Sequence, residues 1–249
     1  MKVKRIYLLV VVLLVGMCAI PFRSQFRRPI AAMIQIMEGK KTVADRVAQY
    51  GEVVRARLKP AFDQISISYP PKRMAIVGLK EEQRLEVWVS GERGEWKHLK
   101  DYPVLGMSGT LGPKLKEGDM QVPEGIYRVE SLNPNSLYHL ALRVNYPSQY
   151  DWERGQEDGR QALGSDIMIH GKDCSIGCLA MGDEAAEDLF ILAARTGTDN
   201  ISVILSPVDL RVRGLPANMP PVPQWTRELY ASITEKLKTM KRPTTHPER

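Results

Sequence analysis

Cysteine and histidine are scarce in this chain: three cysteines and four histidines among 249 residues. Beyond the first apolar segment only Cys174 and Cys178 remain, which allows at most one disulfide and excludes a disulfide-stapled scaffold. No second Cys/His cluster exists, so the spacing of no common structural zinc site is met. There is no internal repeat, and no basic stripe with interleaved aromatics. The net charge of +6 gathers near the ends (Lys2 to Arg28, Lys236 to Arg249), so it reads as membrane flank and solvated tail, not as a nucleic-acid surface. Long uncharged runs are equally rare. The one from Ile6 to Phe22 follows Lys2, Lys4 and Arg5 and precedes Arg23, Arg27 and Arg28. A basic start and an apolar run make an export signal, either a cleaved peptide or an uncleaved inner-membrane anchor. No clean small-x-small cleavage site lies around Met17-Cys18-Ala19. Met17 is also too bulky to precede a lipidated cysteine, so Cys18 reads as a small apolar membrane residue. The body of the chain is therefore expected in the periplasm or cell envelope, and its length suits one domain with a sizeable core.

What is present is concentrated. Ile169-His170-Gly171-Lys172-Asp173-Cys174-Ser175-Ile176-Gly177-Cys178 holds both remaining cysteines, a histidine, a hydroxyl and two glycines. A thiol becomes a nucleophile when a base lies beside it and backbone N–H groups can hold the oxyanion it creates. His170 ends an apolar run, Ile167-Met168-Ile169, that reads as a strand, and Cys178 lies eight positions on in a loop. A returning loop can bring the two together. Gly177 lets the backbone turn tightly before Cys178. Three other readings of the cluster stand beside catalysis. His170, Cys174 and Cys178 could ligate zinc, with Asp173 or Asp183 as a fourth ligand. Cys174 and Cys178 could form a disulfide. Cys174 could be a small buried residue. Ser175 either bonds to the catalytic pair or shapes the turn. His139 reads as a packed strand residue, and His98 and His246 as polar residues without partners.

The rest of the pattern is β-rich. Thr42 and Asp45 mark a helix start, and Val43, Val47, Tyr50, Val54 and Leu58 recur at helical spacing up to Pro60. Met74 to Leu79, Arg84 to Ser90, Gly125 to Ser131, Tyr138 to Val144 and Ile201 to Leu205 read as strands, with turns at Gly91 to Gly94 and Asn133-Pro134-Asn135. A helix capped by Asp183 runs to Gly197. Gln224 to Met240 reads as a last amphipathic helix and the tail after Arg242 as disordered. The expected class is α+β, β-rich, a sandwich or partial barrel with peripheral helices. The expected organisation is a signal or anchor over 1–28, a helical segment over 29–68, a catalytic domain over 69–213, and a proline-rich connector, helix and tail over 214–249.

Ile169-His170-Gly171 followed by Ser175-Ile176-Gly177-Cys178 resembles the active-site motif of the L,D-transpeptidase (YkuD) family, a histidine followed by Ser/Thr-His-Gly-Cys. The short His-to-Cys spacing, and Ile176 in place of the motif's second histidine, resemble its YafK-like branch. Ser108-Gly109-Thr110-Leu111-Gly112-Pro113-Lys114, Gly118 to Tyr127, Leu132 to Ser136 and Asn145-Tyr146-Pro147 are similar to that branch as well. The resemblance runs from about Thr42 to Arg213. It implies a YkuD-type β-sandwich, no cofactor, and work on peptidoglycan stem peptides, including release of a wall-attached lipoprotein as an alternative to cross-linking. Position by position it implies Cys178 as nucleophile, His170 as base, Gly177 and Cys178 N–H groups as oxyanion donors, the Gly171 carbonyl as orienter of His170, and Ser175 in the motif's hydroxyl position. Lys114, Arg143 and Lys172 are candidates to hold substrate carboxylates. Pro123-Glu124-Gly125 is expected to shape a turn beside the cleft. A murein-binding module with a vestigial site is the alternative of another class.

Overall fold

Two strands of the computed structural model bury both faces and anchor the rest: β1 (Arg73–Leu79) and β8 (Ile201–Ser206), which pair in parallel with Ile76 opposite Val203. The structure describes residues 39–241. The expected signal or anchor over 1–28 and the tail after Arg242 lie outside them. Around the central pair runs one eight-stranded mixed sheet in the order β3-β2-β1-β8-β4-β5-β6-β7. The remaining strands are β2 (Arg84–Ser90), β3 (Trp96–Pro103), β4 (Gly125–Ser136), β5 (His139–Val144), β6 (Met168–His170) and β7 (Leu179–Ala180). Its helices are α1 (Val43–Ile65), α2 (Gln149–Glu157), α3 (Asp183–Thr196) and α4 (Thr226–Lys238). This is the α+β, β-rich class read from the sequence.

β4 carries the bend. Gly125 to Arg128 pair with β8, whereas Val129 to Ser136 pair with β5, so one strand hands the ladder from one half of the sheet to the other. The segment leaving β3 then crosses to the far edge, where Gly106 bridges Ala180 of β7. That bridge joins the two ends of the sheet and curls it into a partial barrel. Gly106 is required there, because a Cβ would overlap the Asp173 carbonyl.

The main core holds Ile76, Val87, Val129, Leu142, Ile169 and Val203 against α3 (Leu189, Phe190) and α1 (Val54, Leu58, Phe62). On the opposite face, Ala75, Val77, Trp88 and Ile204 are covered by Leu229, Tyr230, Ile233 and Leu237 of α4. β2 therefore buries both faces. Its alternation is of chemistry, not of exposure: Glu86 is fully buried and accepts from Trp88 Nε1 at 2.9 Å and from Arg211.

Four local expectations change. Pro60 does not end α1, which runs on to Ile65, because Phe62 buries in the core and Ser66 closes the helix in the left-handed region. Asn133-Pro134-Asn135 lies inside β4. The α1 start replaces the missing ladder bonds there: the Asn135 side chain bonds both the N–H and the C=O of Lys41 at 2.8 Å, and Arg46 donates to the Pro134 carbonyl at 2.9 Å. Asp183 begins α3 but does not cap it; Gly182 is the N-cap. His98 does have partners, Asp101 at 2.6 Å and the edge of Trp88. The two-residue β7, together with β3 and α2, escaped the sequence reading. β3 is a polar edge strand with little alternation, and α2 buries only Gly155. The box of Ser148 and Asp151 that caps α2 was the available signal for it.

Candidate active site

His170 and Cys178 come to the same face of the sheet because β6 and β7 are parallel neighbours. Ile169 pairs with Leu179 and His170 with Ala180, which sets Cys178 level with Met168. Side chains alternate along a strand, so Ile169 and Leu179 point into the core while His170 and Cys178 share the other face as diagonal neighbours. The thiol accepts from the Met168 N–H at 3.4 Å and donates to the Asp166 carbonyl at 3.5 Å. The imidazole is buried, packed on the Tyr138 ring with centroids 4.7 Å apart. Its Nδ1 donates to the Gly171 carbonyl at 2.6 Å, which leaves Nε2 as the basic nitrogen.

The electrostatics keep both groups neutral at rest. Burial pushes the Cys178 thiol up, the Asp166 carboxylate adds to this, and the Met168 N–H and the Lys114 ammonium pull the other way without reversing it. Burial lowers His170, and its bond to Gly171 only partly offsets that. The resting pair is thus thiol and imidazole.

The turn before Cys178 is stitched by hydroxyls. Ser175 Oγ accepts the Cys178 N–H at 2.8 Å and donates to the Cys178 carbonyl at 2.6 Å. Ser108 Oγ, from the β3–β4 loop, accepts the Gly177 N–H at 2.6 Å and donates to the Met120 carbonyl at 2.7 Å. Gly177 has φ +88°, a conformation that favours glycine. Both amides expected to face an oxyanion therefore bond serine oxygens in this structure. Ser175 acts on the turn itself, one of the two roles its position allowed. Ser108 was not singled out as a site residue by the sequence reading.

The β3–β4 loop that brings Ser108 is built on a buried ion pair. Lys80 Nζ meets Glu124 Oε1 at 2.9 Å and donates to the Gly112 and Val122 carbonyls at 3.0 Å. Glu124 also accepts from the Gly112 N–H and the Tyr230 hydroxyl, both at 2.7 Å. Glu124 is thus a framework residue, as its turn position suggested. Gln121 clasps the same loop through Thr110 and Gly112.

Beside Gly177 lies a cleft of about 190 Å³ lined by Lys114, Glu117, Met120, Ser165, Asp166 and Ile176, among others. Ile176 and Met120 are 67% and 55% exposed, an apolar lip beside Gly177. Of the three cations expected to hold carboxylates, only Lys114 lines this cleft. Its ammonium is buried and held by Asp119 at 2.5 Å and the Lys116 carbonyl at 2.9 Å. Arg143 is tied to Glu130 at 2.7 Å and Asp166 at 2.5 Å. Lys172 is paired with Asp183 on the α3 side of the turn. Asp166 and Tyr138 join the site without any motif to announce them, and Met120 comes from the Gly118 to Tyr127 stretch without having been singled out; the three arrive from separate loops.

Cys174 and Cys178 are both free thiols. Among the described residues no group of three or more His, Cys, Asp or Glu side chains is placed to hold a metal ion. His139 is bound to Glu187 at 3.1 Å and packed on Tyr50, away from the thiol chemistry. No helix among the described residues is long and apolar enough to cross a membrane.

Residues 72–208 match the model of the L,D-transpeptidase catalytic domain, YkuD. The chain is 39% identical over 114 residues to a protein of Escherichia coli (strain K12) named "Putative L,D-transpeptidase YafK", a match covering 45% of this chain and 43% of that protein. The chain thus spans less than half the length of that relative. Among solved structures it is similar to the helical cell shape determining protein Pgp2 of Campylobacter jejuni, at 21% identity and TM-score 0.45, covering 57% of this chain and 50% of that one. It is also similar to Bd1075 of Bdellovibrio bacteriovorus, at 19% identity and TM-score 0.39, covering 69% of this chain and 56% of that one.

Proposed function

Because the chain belongs to the L,D-transpeptidase catalytic-domain (YkuD) family, we propose that it is a cell-envelope cysteine acyltransferase that works on peptidoglycan stem peptides at diaminopimelate. One observation carries the reading: a thiol one residue beyond the cleft-lining Gly177 shares a sheet face with a buried histidine whose Nδ1 proton is committed to a carbonyl, so that Nε2 is left to act as base.

The residues then take these roles. Nε2 of His170 accepts the Cys178 proton and the thiolate attacks the scissile carbonyl carbon. The Gly177 and Cys178 N–H groups pass from their serine partners to the oxyanion. His170 returns the proton to the leaving amine, and a thioester remains. An incoming amine attacks the thioester, with His170 again as base, and forms the new amide. Lys114, beside the cleft and electrostatically coupled to Cys178, is the cation best placed to meet a substrate carboxylate. Arg143 shapes the site through Asp166.

A hydrolytic variant uses the same thioester with water as the second nucleophile, and releases a trimmed stem or a wall-attached lipoprotein. Ile176 supports this variant: the exposed apolar residue lines the cleft where the family motif has a histidine. The expected setting is the periplasmic face of the envelope.

The test is incubation of the full chain with purified muropeptides, followed by mass spectrometry. Wild type should yield a thioester adduct and new products; Cys178→Ala should yield neither. Cross-linked products mean transfer and trimmed stems mean hydrolysis. Unchanged turnover in Cys178→Ala would end the nucleophile assignment.

A further inference from the structure

Asp183 occupies the first turn of α3, where a carboxylate ordinarily folds back onto its own helix amides. Here it does not; α3 has no side-chain cap. The carboxylate reaches the catalytic turn instead. Oδ1 accepts the backbone N–H of Lys172 at 3.0 Å, and Oδ2 holds the Lys172 ammonium. That N–H and the Gly171 carbonyl are the two ends of a single peptide group, and the carbonyl end accepts Nδ1–H of His170 at 2.6 Å.

We infer that Asp183 is a positioning residue for His170, the distal acid of a triad relayed through the Gly171–Lys172 peptide. This rests on the reading of His170 as the catalytic base. A carboxylate bonded to the amide end of a peptide polarises its carbonyl and strengthens the bond that carbonyl accepts, because hydrogen bonds in series reinforce one another. The result is the role an aspartate plays when it bonds a catalytic histidine directly: it fixes the tautomer and ring orientation and stabilises the imidazolium.

The packing around the relay is specific. A Cβ on Gly171 would lie 2.6 Å from Asp183 Oδ1, 2.8 Å from the Tyr138 carbonyl and 2.9 Å from the His139 Cβ, so only glycine admits the carboxylate this close. Two further bonds strap the turn to the helix start: Met181 N–H to the His170 carbonyl and Gly182 N–H to the Lys172 carbonyl, both at 2.8 Å. Partial burial pushes Asp183 up, but the bonds from Lys172 outweigh it and hold the carboxylate below its usual range, so it is ionised at neutral pH.

The other groups around the imidazole are accounted for. Tyr138 packs on the ring from the β4–β5 turn, and Cys178 lies on the neighbouring strand. Arg143 of β5 is tied to Glu130 and Asp166. From α3, Glu187 is held by Arg57 and His139, and Asp188 by Arg57, Lys100 and Tyr102.

On this reading the two charges of the clamp oppose each other at His170. Asp183 favours the imidazolium, and the Lys172 ammonium beside it offsets that. The experiment is an NMR titration of the His170 ring nitrogens in the full chain, in a Cys178→Ala background. Asp183→Asn should move the His170 midpoint down and Lys172→Met should move it up. In the Cys178 enzyme, Asp183→Asn should lower kcat about tenfold with KM little changed, part of the ~10²–10⁴ a positioned base supplies. Midpoints that stay put, or that move in the same direction, overturn the relay. Should Asp183→Asn fail to fold, the upward shift in Lys172→Met decides alone. Because the titration needs no substrate, it stands or falls separately from the muropeptide assay.

Discussion

Glu124→Gln is the sharpest test of how the β3–β4 loop is held. The Glu124 and Lys80 side chains are 0% and 1% exposed and lie 2.9 Å apart. Glutamine keeps an oxygen for the Gly112 N–H but removes the charge that balances the ammonium. Breaking one side of a buried pair costs about 3–5 kcal/mol. Release of the lysine proton caps the loss near 5 kcal/mol at pH 7, the distance from there to the ordinary lysine range. At roughly 2–4 °C per kcal/mol for a domain of this size, a loss near 4 kcal/mol lowers Tm by roughly 8–16 °C. Burial already lowers Lys80 in the wild type, with Glu124 opposing it. Without Glu124 the folded-state value falls further below the unfolded one. The unfolded chain then binds the extra proton, so stability rises with pH and the penalty fades as pH climbs toward the ordinary lysine range. Urea and thermal melts at pH 7 and pH 9.5 measure this, and adding Lys80→Met should recover part of the loss. A Glu124→Gln protein within about 1 kcal/mol of wild type at pH 7, or a loss equal at both pH values, would refute the reasoning.

Alkylation of Cys178 by iodoacetamide, followed by mass spectrometry, should keep accelerating up to and beyond the ordinary cysteine range. Burial raises the thiol and lowers the imidazole, so thiolate gathers only as hydroxide removes the proton. A rate that plateaus near neutrality would reveal a resting ion pair and contradict the neutral assignment. Gly171→Ala should cost about 1–3 kcal/mol in melts, because the methyl collides with Asp183 Oδ1 and the Tyr138 carbonyl, and it should cut turnover more than stability by displacing the carbonyl that orients His170. Wild-type stability with normal turnover would show that the turn relaxes freely.

Much of the site was legible because its residues are close in sequence. His170, Gly171, Ser175, Gly177 and Cys178 fall within one short run, and the thiol with its adjacent glycine is a local signature. The partners on Gly177 and Asp183 were not legible. Ser108 is 69 residues from the amide it accepts. Asp183 carried a strong local reading as a helix cap, and a tertiary bond overrode it. The three cations were correctly seen as long basic side chains, but composition could not show that each already meets a carboxylate.

The sequence alone determined the class and the core strands, because apolar runs and turn residues act over a few positions. Val43 to Leu58 had to be a helix, and Met74 to Leu79 and Ile201 to Leu205 had to be buried strands, whatever they packed against. It also singled out Cys178 and His170 as the proposed nucleophile and base. Only the tertiary structure decided that β6 and β7 run parallel, that Gly106 closes the sheet, and that Pro60 sits inside its helix. Strand order and loop closure depend on contacts between residues far apart in the chain. The same long-range packing decides which groups surround the thiol, and hence that thiol and imidazole rest uncharged.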